Sequence, residues 1–148
     1  MKKRGLLVIL LFSLLFLLGC KSSVINETKG ILSYSIKGCI NKQFNTEKRT
    51  IKEESIVIES TENSINFKHK ATHLCGLDIE LQQSIKDAQI TIIEIFTGQG
   101  AKCICDSEIS AKLFPIGRGV YNLKIYTKVN DEPPELIKES EIAVGTTT

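Results

Sequence analysis

Apolar and polar residues alternate with a period of two along most of the chain beyond residue 30. In the stretch 65–71 (INFKHKA), Ile65, Phe67 and Ala71 fall on one face and the lysines on the other. This is the period of a β-strand that buries one face. No long stretch has the 3.6-residue period of an amphipathic helix. The pattern therefore predicts an all-β fold.

The alternation predicts seven or eight short strands, separated by turn-rich segments such as 60–64, 98–100 and 130–135. Such spacing is typical of a sandwich, so we expect an Ig-like antiparallel β-sandwich over residues 30–146. Trp is absent, so the prediction concerns the architecture and not membership of the immunoglobulin family. The predicted strands are 30–40, 51–59, 65–71, 77–82, 89–97, 103–114, 121–129 and 136–144.

The N-terminus has the parts of an export signal. Lys2, Lys3 and Arg4 form a positive segment, and residues 6–18 are apolar except for Ser13. Thirteen residues make about 20 Å of helix, which is shorter than the roughly 30 Å hydrocarbon core of a bilayer. Residues 1–19 are therefore predicted to be a signal peptide with a helical apolar segment, which is removed from the mature protein.

The sequence Leu17-Leu18-Gly19-Cys20 follows and resembles the lipobox of bacterial lipoproteins. The resemblance implies cleavage before Cys20 and attachment of a diacylglycerol to its sulfur. Two or three acyl chains hold a protein firmly on a membrane. We therefore expect a protein of the bacterial cell envelope that faces the periplasm or the exterior, with residues 20–29 as its lipidated tether.

The expected mature chain is almost neutral. The whole chain has 19 basic and 17 acidic residues, but Lys2, Lys3 and Arg4 belong to the predicted signal peptide. Without these three, 16 basic residues stand against 17 acidic ones, a net charge of about −1. A basic surplus that would attract nucleic acid is absent, so no nucleic-acid partner is expected.

Two motifs lie in the C-terminal half, the C-x-C of Cys103-Ile104-Cys105 and the G-x-Y of Gly119-Val120-Tyr121. With them, residues 64–129 resemble a group of small bacterial secreted proteins and lipoproteins. In that group, a Cys near a His-containing strand precedes a C-x-C strand and a G-x-Y strand. The resemblance implies a β-sandwich fold and no particular activity.

With Cys20 assigned to lipid, four cysteines remain, and an even number in an exported protein favours disulfides. Cys103 and Cys105 point the same way from one strand, which disfavours a bond between them. Two pairings stay open: Cys39–Cys103 with Cys75–Cys105, or Cys39–Cys105 with Cys75–Cys103.

The alternative to disulfides is a metal site made of His73, Cys75, Cys103 and Cys105. One imidazole and three thiolates suit tetrahedral Zn²⁺ or Cu(I). However, the spacing differs from the C-x2-C of structural zinc sites, and Cys103 and Cys105 share a strand face with core residues. We therefore expect no cofactor.

No catalytic motif is recognisable. The chain has two histidines and neither a G-x-S-x-G elbow nor an H-E-x-x-H sequence. His69 shares a strand face with Phe67 and is interpreted as a packed or hydrogen-bonded histidine. The expectation is a protein that is not an enzyme.

The leading hypothesis is a lipid-anchored binding or structural module whose partner is an envelope protein or an extracellular ligand. The candidate binding loops are 98–102, 115–119 and 130–135, because sandwich domains bind through end loops or edge strands. One alternative is a metal-binding or redox lipoprotein that uses the His73 and cysteine cluster. Another is an inhibitor of an extracellular hydrolase.

Overall fold

The computed structural model describes residues 30–43 and 55–145, with the backbone alone at 41–43. Cys20, the signal peptide, the tether, residues 51–54 of the second predicted strand and residue 146 lie outside the described residues. In the described part, no helix is long and apolar enough to cross a membrane. The strands are β1 (Ile31–Gln43), β2 (Ile56–Ser60), β3 (Ile65–Leu74), β4 (Asp78–Lys86), β5 (Gln89–Thr97), β6 (Ile104–Phe114), β7 (Gly119–Val129) and β8 (Glu135–Val144).

The eight strands form two four-stranded sheets, in the orders β1-β6-β3-β2 and β4-β5-β7-β8. The all-β sandwich predicted from the sequence is thereby confirmed. In immunoglobulin constant domains the first strand pairs with the second, whereas here β1 pairs with β6.

The predicted antiparallel arrangement has one exception among the described strands. β5 and β7 pair in parallel, with Gln89 opposite Asn122, and the remaining pairs are antiparallel. Parallel neighbours need a crossover connection. The chain makes it by leaving β5 for the other sheet, where it forms β6, and returning as β7.

The core lies between the two sheets, and strand alternation fills it. The odd-numbered residues of β6 and the even-numbered residues of β5 are buried, and so are those of β3 at 65, 67, 69 and 71. Cys103 and Cys105 are also buried, as their shared parity with core residues predicts. The main buried cluster consists of Ile65, Phe67, Ala71, Leu81, Ile90, Ile92, Phe96, Ile109, Ala111, Leu113, Ile116, Leu123, Ile125, Ile142 and Val144.

The two ends of the sandwich differ. The disulfide end comprises Cys75, residues 98–103 and the turn 130–134, where β3, β5 and β7 finish and β6 begins. The tether end comprises Gly30, residues 115–118 and Gly145, where β6 and β8 finish. Strands of about ten residues hold these ends roughly 33 Å apart. The N-terminal side of the described chain thus enters the sandwich at the end away from the disulfides.

Candidate functional site

Two disulfides join Cys39 to Cys105 and Cys75 to Cys103, with Cα–Cα distances of 4.9 and 5.5 Å. This is one of the two pairings that the sequence left open. Since all four sulfurs are bonded in pairs, a zinc or copper site at His73, Cys75, Cys103 and Cys105 would require both disulfides to be reduced first.

A bulge in β1 brings Cys39 to Cys105. Lys37 lies opposite Glu108 and Asn41 lies opposite Asp106, so residues 38–40 face Ser107 alone. Cys39 has a φ of 41°, a left-handed conformation that is uncommon outside glycine. The bulge leaves Cys39 exposed at the edge of the sheet, whereas its partner Cys105 is buried.

Three of the four sulfurs form a compact group. The Sγ atoms of Cys39, Cys75 and Cys105 all lie within 4.8 Å of one another, although they belong to two different disulfides. The fourth sulfur, that of Cys103, is bonded to Cys75. The buried member of one disulfide is therefore a direct neighbour of the other disulfide.

Backbone hydrogen bonds hold the second disulfide independently of its sulfur bond. Cys75 N–H donates to the Cys103 carbonyl at 2.9 Å, and Ala101 N–H donates to the Cys75 carbonyl at 2.7 Å. A Cβ atom on Gly100 would come within 2.7 Å of the Leu74 side chain, so glycine permits this close approach.

His73 lies directly opposite Cys105 in the register of β3 and β6. Its Nδ1 is 2.8 Å from the Leu74 carbonyl oxygen, and because a carbonyl only accepts, Nδ1 donates. Its Nε2 is 2.8 Å from Ser107 Oγ. Ser107 Oγ in turn accepts the Cys39 N–H at 3.3 Å, so its own hydrogen is free to be donated to a neutral His73. These bonds connect the β1 bulge to the imidazole beside Cys105.

A second polar pair crosses the middle of the core. His69 Nδ1 on β3 lies 2.7 Å from Glu94 Oε2 on β5, with side-chain exposures of 1% and 0%. This agrees with the interpretation of His69 as a hydrogen-bonded histidine. The other carboxylate oxygen, Glu94 Oε1, has no hydrogen-bond partner among the described residues.

Sequence reasoning missed Glu94 and Ser107. Glu94 is the one charged residue in the otherwise uncharged strand β5. A charge inside a buried strand needs a partner, and a histidine with core parity was available. The pairing of Glu94 with His69 could therefore have been predicted from the sequence. Ser107 gave no comparable signal, because a serine on a strand is common in both buried and exposed positions.

The structure brings two of the three candidate loops together. Asn130 Oδ1 accepts the Gly98 N–H at 3.0 Å, and Asn130 Nδ2 donates to the Gly98 carbonyl at 3.4 Å. Gly98 has a φ of 120°, which glycine tolerates without strain. Loops 98–102 and 130–135 are thus neighbours at the disulfide end. Loop 115–119 lies at the tether end, where Ile116 N–H donates to the Asn63 carbonyl at 2.9 Å.

An open groove lies at the tether end, between the β4–β5 turn and the start of β7. It has a volume of about 680 Å³, and Lys86, Asp87 and Glu141 give its lining mixed charge. No cysteine or histidine lines it.

Comparisons of the chain with protein-family models, curated proteins and solved structures find no match.

Proposed function

We propose that the chain is a lipid-anchored, non-enzymatic binding or structural module of the bacterial cell envelope. The lipobox at Cys20 supports the anchor. Two disulfides are consistent with an extracytoplasmic compartment, where such bonds persist. The near-neutral charge of the expected mature chain supports a partner other than nucleic acid.

One observation carries the proposal: Gly30 lies at the end of the sandwich opposite the disulfides. The nine residues 21–29 span at most about 30 Å when fully extended. A lipid on Cys20 therefore keeps the tether end near the membrane and directs the disulfide end outward. The exposed pair Ile31 and Phe114, beside Gly30, adds an apolar patch on the membrane side.

The proposed binding surface is formed by loops 98–102 and 130–135 at the disulfide end. Gln99, Lys102, Asp131 and Glu132 are exposed there. Loops held on a rigid sheet scaffold are the usual place for recognition in sandwich domains. The Asn130–Gly98 hydrogen bonds make these two loops one surface.

Membrane anchoring is tested first. Cys20→Ala should move the protein from the membrane fraction to the soluble fraction of host cells, because it removes the lipid acceptor. The matched variant Ser22→Ala should stay in the membrane fraction. If Cys20→Ala fractionates with the membrane as the wild type does, the lipid anchor is wrong.

Binding is tested by photo-crosslinking in intact cells. A photoreactive residue at Gln99 should give a discrete adduct, and one at Arg118, at the tether end, should not. Asp131→Lys with Glu132→Lys should abolish the Gln99 adduct, whereas Asp87→Lys, at the tether end, should leave it intact. An adduct at Arg118 alone, or adducts at neither position, would contradict binding through the disulfide end.

A further inference from the structure

The arrangement of the four cysteines fits exchange between the two disulfides. We propose that they form a thiol–disulfide exchange site, which takes a thiol at Cys39 and passes the exchange on to Cys75 and Cys103. This inference goes beyond the binding function proposed above and does not depend on it. Either can fail while the other stands.

The entry point is Cys39. It is exposed in the bulge of the edge strand β1, whereas Cys105, Cys75 and Cys103 are buried. The incoming group is a thiolate of a dithiol protein or of a small thiol such as glutathione. It attacks Cys39 Sγ, a new sulfur–sulfur bond forms there, the Cys39–Cys105 bond breaks, and Cys105 leaves as a thiolate.

The second step is internal. The released Cys105 sulfur starts within 4.8 Å of Cys75 Sγ. Its attack on Cys75 forms a Cys75–Cys105 bond and breaks the Cys75–Cys103 bond, and Cys103 leaves as a thiolate. Cys103 is the leaving group because its sulfur is the one bonded to Cys75.

A dithiol donor accounts for all the electrons and protons of the exchange. Its second thiolate attacks its own mixed disulfide with Cys39, so that the donor leaves oxidised and Cys39 becomes a thiol. The donor's two protons end on Cys39 and Cys103. The chain has then gained two electrons and retains one disulfide, Cys75–Cys105.

The local backbone favours the internal step. The Cys75 N–H to Cys103 carbonyl bond and the Ala101 N–H to Cys75 carbonyl bond do not involve sulfur. The register of β3 and β6, with His73 opposite Cys105, also does not depend on either disulfide. Breaking one sulfur bond therefore leaves the attacking and accepting sulfurs side by side.

The decisive variant is Cys39→Ser in the full chain, which leaves Cys105 as a thiol beside an intact disulfide. After incubation at mildly alkaline pH, acid quenching and alkylation, peptide mapping should find both Cys75–Cys103 and Cys75–Cys105. Alkylation at Cys103 should rise from none to a level comparable with that at Cys105. The control, Cys39→Ser with Cys105→Ser, has no attacking thiol and should keep Cys103 unalkylated. Cys20 is assigned from its own peptide.

The proposal is overturned if Cys39→Ser keeps its free thiol on Cys105 alone. If that variant does not fold, as judged by circular dichroism, Cys103→Ser tests the same neighbours. Its Cys75 thiol should attack Cys105, giving a Cys75–Cys105 bond and a free Cys39. A thiol that stays on Cys75 alone would overturn the proposal equally.

The wild-type chain tests the entry point, with reduced glutathione as the probe. The first adduct should be at Cys39, and a species with a Cys75–Cys105 bond should follow. A first adduct at Cys75 or Cys103, or loss of both disulfides without that species, would contradict the proposed order.

Discussion

His69 and His73 lie four residues apart on the same face of β3, yet their surroundings differ. His69 is in the middle of the core, and its partner, Glu94, belongs to the opposite sheet. His73 is half-buried at the disulfide end, and its partners are Ser107 in the same sheet and the backbone of Leu74. Both histidines face β5 of the opposite sheet, where His69 meets Glu94 and the ring of His73 lies 5.3 Å from that of Phe96. The β5 residue that lies opposite therefore decides whether a histidine at these positions meets a carboxylate.

The difference has an energetic meaning. A buried polar or ionisable group is costly when it loses its hydrogen-bond partner, so each member of the His69–Glu94 pair depends on the other. The hydrogen bonds of His73 are nearer to solvent, and a hydrogen bond of this kind contributes about 1 kcal/mol net. The two sites should therefore respond very differently to the removal of one partner.

The largest expected effect is that of Glu94→Ala. It leaves His69 buried without its carboxylate, and it should lower the free energy of unfolding by about 3–5 kcal/mol. Urea denaturation followed by circular dichroism measures the change. Glu80→Ala, at an exposed position on β4, is the control and should stay within about 0.5 kcal/mol of the wild type. A loss below about 1 kcal/mol for Glu94→Ala would contradict the dependence of the pair.

Ser107→Ala should have a smaller effect. It removes the acceptor for Cys39 N–H and the partner of His73 Nε2, and we expect a loss of about 1–3 kcal/mol in the same measurement. Ser110→Ala, on the outer face of β6, should change stability by less than about 0.5 kcal/mol. If Ser107→Ala costs as much as Glu94→Ala, the contrast between the two histidine sites disappears.

Replacing both members of the core pair should have less effect than removing one. In His69→Leu with Glu94→Met, apolar side chains of similar size fill the space without buried charge, and stability should return to within about 1 kcal/mol of the wild type. A double-mutant cycle with the two single variants measures the coupling. A double variant as unstable as the sum of the singles would show that the two residues act independently.

The smallest expected effect is on the pKa of Glu139, an exposed carboxylate on β8. It adds a surface site to the comparison of the two buried or half-buried histidines. The Asn122 side chain donates to Glu139 Oε1 at 2.9 Å, and Lys124 Nζ lies 3.3 Å from the same oxygen. These two contacts, with that of Asn122 first, lower the pKa of Glu139 below its ordinary value of 4.5. Because the folded-state pKa is depressed, the stabilisation is present above the ordinary pKa and is lost as pH falls through the folded-state pKa.

Asn122→Ala should therefore raise the pKa of Glu139 towards its ordinary value, as followed by NMR titration of the carboxyl carbon. Ser140→Ala, next to Glu139 on β8, should leave that pKa unchanged. Equal titration curves for the wild type and Asn122→Ala would show that the hydrogen bond has no effect on the charge.

Much of the fold could be predicted from the sequence, because the period-two alternation in β3, β5 and β6 reports directly which face is buried. The pairing of the strands could not be predicted from the sequence. Gly98 and Gly100 indicate a change of direction, but the same residues suit a hairpin and a crossover to another sheet. The cysteine pairing was also undecidable, because it depends on the β1 bulge, where residues 38–40 face Ser107 alone.

The candidate site was predictable in its residue types and not in its contacts. Cys75, Cys103 and Cys105 were expected to be near one another, and both disulfides and a metal were compatible with that. Cys39 and Cys75 belong to different disulfides, and their sulfurs lie close together because β1 pairs with β6. These strands pair Ile31 with Phe114, so a contact far apart in the sequence determines the site.

The parallel pairing of β5 and β7 has a consequence for the order of folding. β6 stands between these strands in the sequence but belongs to the other sheet. Pairing β5 with β7 therefore closes a loop that contains β6, and closing such a loop costs entropy before any contact stabilises it. Non-local β topologies of this kind fold in milliseconds to seconds. Because each sheet contains strands from both sides of the β5–β6 connection, cutting the chain there should leave neither half folded.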